Sequence, residues 1–388
     1  MKKDVAQNLI KLRVANGFTQ EYVAEKAGIS LLAYRNIEGV KSEPNVSTLQ
    51  KIAKNVYNIN TAELFAEYKT QIKKVRFRAL ENKNIKKRED IVCEISSWLE
   101  KYNELINNLN KGDDFKYKLT ELEKKTNNPI IMAKLARKEF GLNKDETVID
   151  ICNLLEFKAG IRVLAKQFNS DSFFGLSLED INGGKLIVVN TWDRISVERR
   201  IFSVAHELGH ILLHFKNINN DELAENEKEE KEANVFASHF LMPQNDFITV
   251  WNNCANCDFV DRVIRVKQIF RVSYQVVLYR LSEYVKEHNI NNFDVWRTFN
   301  VSYSRKYKVK IDRKKELCSN LDENSRELRA LSNQFYEGCR LAKLIKQASD
   351  ENKINIDEAA YLLNLSVNDL KIIQRIWEKN PLYKLNLS

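Results

Sequence analysis

Three of the chain's five histidines, His206, His210 and His214, fall in "AHELGHILLH" at 205–214. His206 and His210 are four positions apart, so on a helix they leave one face a turn apart. That spacing lets two imidazoles address one tetrahedral zinc ion. Glu207, beside the first, can reach a water there and take its proton as general base. In a chain of this length and composition an accidental His-Glu-x-x-His is expected on the order of 0.005 times. Histidines in so apolar a segment also need polar partners. The motif therefore reads as a metal site rather than incidental core histidines. A third protein ligand is needed. Lys216 stands ten residues after His206, where another class of such sites places a histidine. His214, a further turn along the same face, suits packing or support of a ligand better than coordination. "EKEEKEANVFASHFLMP" at 227–243 offers Glu230, with Asn234 one turn on, pairing a ligand with a group that orients one. Glu229 and Glu232 are expected to face solvent.

These residues need rigid elements behind them. "VERRIFSVAHELGHILLHF" carries Ile201, Val204, Ala205, Leu208, Ile211 and Leu212, enough for a buried helix. The 227–243 segment has its own stripe, with Ala233, Phe236, Ala237, Phe240 and Leu241. Upstream, "IRVLAKQF", "SFFGLSLE" and "KLIVVN" alternate or run apolar at strand length, and Asn182-Gly183-Gly184 between the last two predicts a hairpin turn. A short antiparallel sheet is expected beside the histidine helix, preceded by two helices from "NPIIMAKLARKEFGL" and "ETVIDICNLLEFKAG".

The first 65 residues hold four short helical patterns. Val5, Leu9 and Leu12 share one face of the first. Thr19 caps "QEYVAEKA", Gly28 stops it, Ser30 caps "LLAYRNIEG", and Pro44-Asn45 restarts a fourth helix carrying Val46, Leu49, Ile52 and Ala53. Helix, glycine turn, helix is the helix-turn-helix layout. "FTQEYVAEKAGIS" with Ile37-Glu38, Pro44 and Leu49 resembles the XRE/Cro-type helix-turn-helix family over roughly residues 5–65. The resemblance implies that the helix from Ser30 enters a DNA major groove. Ser30, Tyr34, Arg35 and Asn36 are then the candidate DNA contacts, with Gln20 on a phosphate. Leu31 and Leu32 can meet only thymine methyls. A small protein–protein module is the competing reading.

"ERRIFSVAHELGHILLH" followed by "EEKEANVFASHFLMP" resembles the ImmA/IrrE family of cytoplasmic zinc metallopeptidases, over roughly residues 128–285. Asn190, Arg200, Phe202, the Leu241-Met242-Pro243 turn and "IFRVSYQVVLYRLSEY" fit the same pattern. The resemblance implies a zinc ion (Zn2+) on His206, His210 and Glu230, with Glu207 as catalytic base. It also implies a protein substrate, a helix-turn-helix repressor whose cleavage derepresses stress, defence or mobile-element genes. Asn234 and His214 would support the ligands. His239, Tyr274 and Arg271 are unranked candidates to stabilise an oxyanion. Two rivals differ in class: a non-proteolytic XRE transcription factor whose peptidase-like domain senses a metabolite, and an antitoxin-like partner-binding protein. The complete His206/Glu207/His210 set weighs against pure sensing, since a pocket needs no general base beside a ligand pair.

The whole chain sets the frame. Its 388 residues suggest two to three domains, and 44% apolar content suffices for packed cores. The expected fold is mainly α, with an all-α helix-turn-helix domain and a small α+β peptidase domain built from the sheet and the histidine helix. The expected divisions are 1–68 for the helix-turn-helix domain, 69–127 for a basic and amphipathic helical linker, 128–285 for the peptidase-like domain, and 286–388 for a helical sensor or regulatory domain. A net charge of +9 permits a nucleic-acid partner. Residues 69–88 hold nine basic residues against one acidic, read as a solvated helix face or as extra phosphate contacts. Ile91, Ile95, Trp98, Leu99, Tyr102 and Leu105 form the stripe of a spacer or a homodimer helix. No apolar leader and no run of 18 apolar residues occurs, so a cytoplasmic protein without a membrane partner is expected. The six cysteines read as ordinary thiols. Cys254 and Cys257 have zinc-ribbon spacing but no second pair near them, Cys318 being far downstream. The last hundred residues read as a small packing or sensor domain, with a faint second helix-turn-helix pattern in "IDEAAYLLNLSVNDLKII".

Overall fold

A computed structural model describes residues 2–16, 18–65, 72–79, 85–112, 116–143, 146–169, 173–217, 226–290, 293–312, 316–317 and 340–379. The N-terminal unit holds α1 (Lys2–Ala15), α2 (Gln20–Ala27), α3 (Leu31–Glu38) and α4 (Val46–Ile52). Side-chain oxygens of Thr19, Ser30 and Asn45 accept from the backbone N–H three residues on, which starts α2, α3 and α4 where the sequence places them. Val5, Leu9, Val23, Tyr34, Ile37 and Leu49 meet in the core of this unit.

The basic stretch that follows departs from expectation. Residues 72–79 form a strand, β1 (Ile72–Ala79), and α5 (Ile85–Asn108) succeeds it. The reason is visible in the residues: Val75, Phe77 and Ala79 alternate with Lys74, Arg76 and Arg78, a period of two that suits a strand and no helix. The remainder of 69–88 lies largely outside the described residues.

Next come α6 (Thr120–Glu123), α7 (Pro129–Glu139), α8 (Ile151–Leu154), β2 (Arg162–Lys166), β3 (Phe173–Asp180), β4 (Lys185–Asn190), α9 (Val197–Leu213) and α10 (Glu227–Leu241). Helices α11 (Gln244–Asn253), α12 (Phe259–Phe270), α13 (Tyr274–Glu287) and α14 (Val295–Tyr307) complete the middle of the chain. The last three are α15 (Arg340–Asp350), α16 (Ile356–Leu363) and α17 (Val367–Lys379). The sheet order is β1-β3-β4-β2. Its pairs are antiparallel except β2 with β4, so the sheet is mixed rather than purely antiparallel.

Both faces of this sheet are covered, which is why every residue of β3 and β4 is buried. On one face Ile187 and Val189 join α7, α9 and α10. On the other, Leu164, Leu176, Leu178, Leu186 and Val188 pack with α5, α15, α16 and α17. The expected linker and the expected C-terminal domain thus build the second layer of the same sandwich. Among the described residues no helix is long and apolar enough to cross a membrane. Cys254 and Cys257 are free thiols.

Candidate metal centre

Helix α9 starts at Ser196, whose Oγ accepts from the Arg199 N–H at 3.3 Å, and it is buried along nearly its whole length. It lies between the sheet and α10. Gly209 sets how close α10 comes: a Cβ there would stand 2.9 Å from Cδ1 of Phe236 and 3.3 Å from Cα of Ala233. Because α9 carries no side chain at that point, Glu230 on α10 reaches the two histidines.

Nε2 of His206 and Nε2 of His210 are 2.8 Å apart. Glu230 Oε2 lies 3.2 Å from the first and its Oε1 3.0 Å from the second. Protons are already placed on the far sides of both rings. His206 Nδ1 is 2.9 Å from Oδ1 of Asn234, an amide oxygen that can only accept, so Nδ1 carries the hydrogen and Nε2 keeps its lone pair. His210 Nδ1 is 3.0 Å from Nδ1 of His214, and His214 Nε2 is 3.0 Å from Oε2 of Glu232. The Glu232 carboxylate accepts from His214 Nε2–H, which leaves His214 Nδ1 to accept from His210 Nδ1–H. His210 Nε2 therefore also presents a lone pair. Two nitrogen lone pairs and a carboxylate oxygen crowded this closely repel one another unless a cation sits among them. His206, His210 and Glu230 offer ligand atoms within 4.8 Å of one another, from two packed helices, and two imidazoles with one carboxylate are a zinc donor set.

Burial, reinforced by the neighbouring His206 ring, holds His210 well below the usual imidazole range, so it stays neutral. Burial alone would push the Glu230 carboxyl up, but a positive group on the Nε2 side of His206 and His210, whether a shared proton or a metal ion, outweighs it and keeps the carboxyl below the ordinary carboxylate range. Burial lowers His214 as well, with Glu232 opposing.

Glu207, fully buried on α9, accepts from Ser177 Oγ on β3 at 2.8 Å. Arg76 of β1 is paired in register with Ser177 and makes an ion pair with Glu229. Two expectations are corrected here. Glu232 and Glu229 are only partly exposed: the first holds His214 and the second is engaged by Arg76, because α10 turns that flank toward α9 and the sheet. Neither Ser177 nor Arg76 stands out in the sequence: no local pattern marks the serine, and the arginine lies inside a charge run. The three oxyanion candidates are seated in helix packing. Tyr274 stacks on Phe299 at 5.6 Å, Arg271 donates to the Ile149 carbonyl at 2.9 Å, and His239 Nε2 lies 3.5 Å from Glu283.

In the N-terminal unit, Ser30 spends its hydroxyl as the α3 cap, and Arg35 on α3 pairs with Glu21 at 2.8 Å while remaining exposed. Asn36 is half-exposed. Gln20 donates its amide N–H to Glu38, which also takes Arg13 at 2.7 Å. Tyr34 is corrected: it is fully buried between Ile37 and the other core residues, so it builds the unit and cannot touch a base. Burial, with the charge of Glu38 near its hydroxyl, pushes that phenol far above its usual range.

Residues 158–282 match a peptidase family model described as the IrrE N-terminal-like domain. Residues 9–64 match a family model described as helix-turn-helix. No curated protein matches the chain.

Proposed function

We propose, for a chain that joins a helix-turn-helix domain to a peptidase domain of the IrrE N-terminal-like kind, that it is a cytoplasmic zinc-dependent endopeptidase. His206, His210 and Glu230 would hold the metal. The observation that carries this reading is the crowding of two imidazole lone pairs and one carboxylate while Asn234 and His214 take the opposite ring protons. When bound, zinc would supply Lewis acidity toward a peptide carbonyl and a water. The rest falls to the chain's own groups. Glu207, steadied by Ser177, takes a proton from the attacking water as its oxygen bonds to the carbonyl carbon. The same carboxyl then hands that proton to the amide nitrogen as the C–N bond breaks, giving a free acid and a free amine. Asn234 and the His214–Glu232 pair keep the ligand rings in one tautomer and one orientation.

The substrate favoured by the resemblance is a helix-turn-helix repressor. A DNA-binding domain on the same chain would raise the peptidase's effective concentration beside a repressor on that DNA. The metabolite-sensor alternative leaves Glu207 and its Ser177 contact without a task. Elemental mass spectrometry tests the reading: about one zinc per chain is expected, lost in His206→Ala and in Glu230→Ala and retained in Glu207→Gln. A carefully purified wild-type chain without zinc would sink the peptidase reading and leave the sensor.

A further inference from the structure

The last three helices repeat the first three position by position. The offset is constant: Asn364 stands where Gly28 stands (364 − 28 = 336), and the same offset links every pair below. Helices α2 and α16 are each eight residues long. Thr19 caps the first, accepting from Tyr22 N–H at 3.1 Å, and Asn355 caps the second, accepting from Glu358 N–H at 2.8 Å. Each helix ends on a left-handed residue, Gly28 at φ 65, ψ 40 and Asn364 at φ 53, ψ 47. The turn closes with the same bonds: Ile29 N–H to Ala24 O at 3.0 Å, and Leu365 N–H to Ala360 O at 2.9 Å. Each turn leaves through a serine. Ser30 Oγ accepts from Ala33 N–H at 3.1 Å, and Ser366 Oγ accepts from Asp369 N–H at 3.1 Å. The buried positions coincide too: Leu9 with Ile345, Ala24 with Ala360, Tyr34 with Leu370, Ile37 with Ile373. Any three-helix packing shares helices. It does not share a left-handed residue, a serine cap and a core register across two connections, because each of these fixes the crossing of the second and third helices.

In such a unit the third helix is the one that can enter a groove, and the two units differ in what that helix shows. Outward on α3 stand Leu32 and Arg35, the latter tied to Glu21. Helix α17 buries Leu370, Ile373 and Trp377 and exposes Asn368, Lys371, Ile372 and Arg375. Asp369, also on this face, turns its carboxylate to the Ser366 hydroxyl at 2.6 Å. An amide for adenine, two cations for guanine or phosphate and a branched apolar group for a thymine methyl form a base-reading set. We infer that α15–α17 are a second helix-turn-helix unit and that α17 binds in the major groove of a B-form DNA duplex. Both units rest on α5: Lys11 pairs with Glu100 at 2.6 Å, and Trp98 Nε1–H donates to the Leu362 carbonyl at 2.9 Å. One helix therefore ties two DNA-reading units together, and a duplex carrying two sites gains from that linkage. This inference stands independently of the peptidase reading.

The test uses the full-length chain and a random-sequence duplex library. Duplexes it enriches are then titrated by fluorescence anisotropy over a range of salt. The Lys371→Ala/Arg375→Ala variant should weaken binding about tenfold or more and lower the salt slope by about two. Asn368→Ala should change the base preferred at one position on re-selection. All three side chains are exposed, so each variant should melt with the wild type, and a melting check separates a lost contact from a lost fold. Wild-type affinity and slope in the double variant would overturn the inference, as would a full-length chain that enriches no duplex. A double variant that keeps its DNA affinity but changes its oligomeric mass would instead assign the face to protein contact.

Discussion

At the scale of single residues, what decides whether a group could be foreseen is how narrowly its task limits its identity. A metal site with a base beside it would demand imidazoles and carboxylates at fixed helical spacing, so His206, His210 and Glu230 as candidate ligands and Glu207 as candidate base could be picked out together, with Asn234 and His214 beside them. Ser177 and Glu232 do comparable work through hydrogen bonds that many residue types could make, and nothing in the string marks them. Burial creates a second kind of hidden residue. Glu156 is fully buried, with Arg340 donating to its backbone carbonyl at 2.7 Å. Desolvation pushes its carboxyl up to about 7, with Arg340 and the Val163 backbone offsetting only part of that. Between its ordinary 4.5 and about 7 the folded protein keeps a proton that the unfolded chain has released. Stability therefore falls as pH rises through that window, by on the order of 3 kcal/mol at most. Glu156→Gln keeps the shape and removes the charge, so it should raise the melting temperature at pH 8 and change it little at pH 5. An equal shift at both pH values would show that packing, not ionisation, governs the site.

At the scale of elements, two helices must approach closely for the centre to exist, and Gly209 is the reason they can. A methyl there meets Phe236 and Ala233 inside contact distance, so α10 must move or its rings must turn. Overpacking of this kind costs about 1–3 kcal/mol, and the displacement carries Glu230 away from His206 and His210. Gly209→Ala is expected to lower zinc occupancy together with thermal stability, although the variant retains every ligand. Normal zinc content with lowered stability would mean that α10 repacks without moving Glu230. The helices were legible as elements because their apolar stripes recur at helical spacing and their caps are explicit. β1 was not, although its alternation was present, because a run of cations reads first as a solvated face. Its pairing partner β3 also lies about a hundred residues on. The parallel pairing of β2 with β4 is not legible for a different reason: adjacent strands of alternating residues do not reveal which of them pair, or in which direction.

At the scale of the whole molecule, a division of the chain by motif differs from a division by core. The motifs of the metal centre fall between 128 and 285, and the matching peptidase model spans 158–282. The sheet that carries Ser177 is nonetheless completed by β1, and its second face is covered by α5 and α15–α17. Excising 128–285 would bare Leu164, Leu176, Leu178, Leu186 and Val188 to water. Each such side chain is worth about 2 kcal/mol when buried, so together they approach the whole stability of an ordinary domain. The 128–285 fragment is therefore expected to bind a hydrophobic dye and to melt without a cooperative transition. A chain from residue 69 to the C-terminus should melt sharply and hold zinc. If the short fragment melts cooperatively near the temperature of the full chain, the outer helices are accessories, and the two helix-turn-helix units merely rest on α5. If it does not, α15–α17 share a core with the sheet beside the candidate metal centre. These helices then pack on β3, whose Ser177 donates to Glu207.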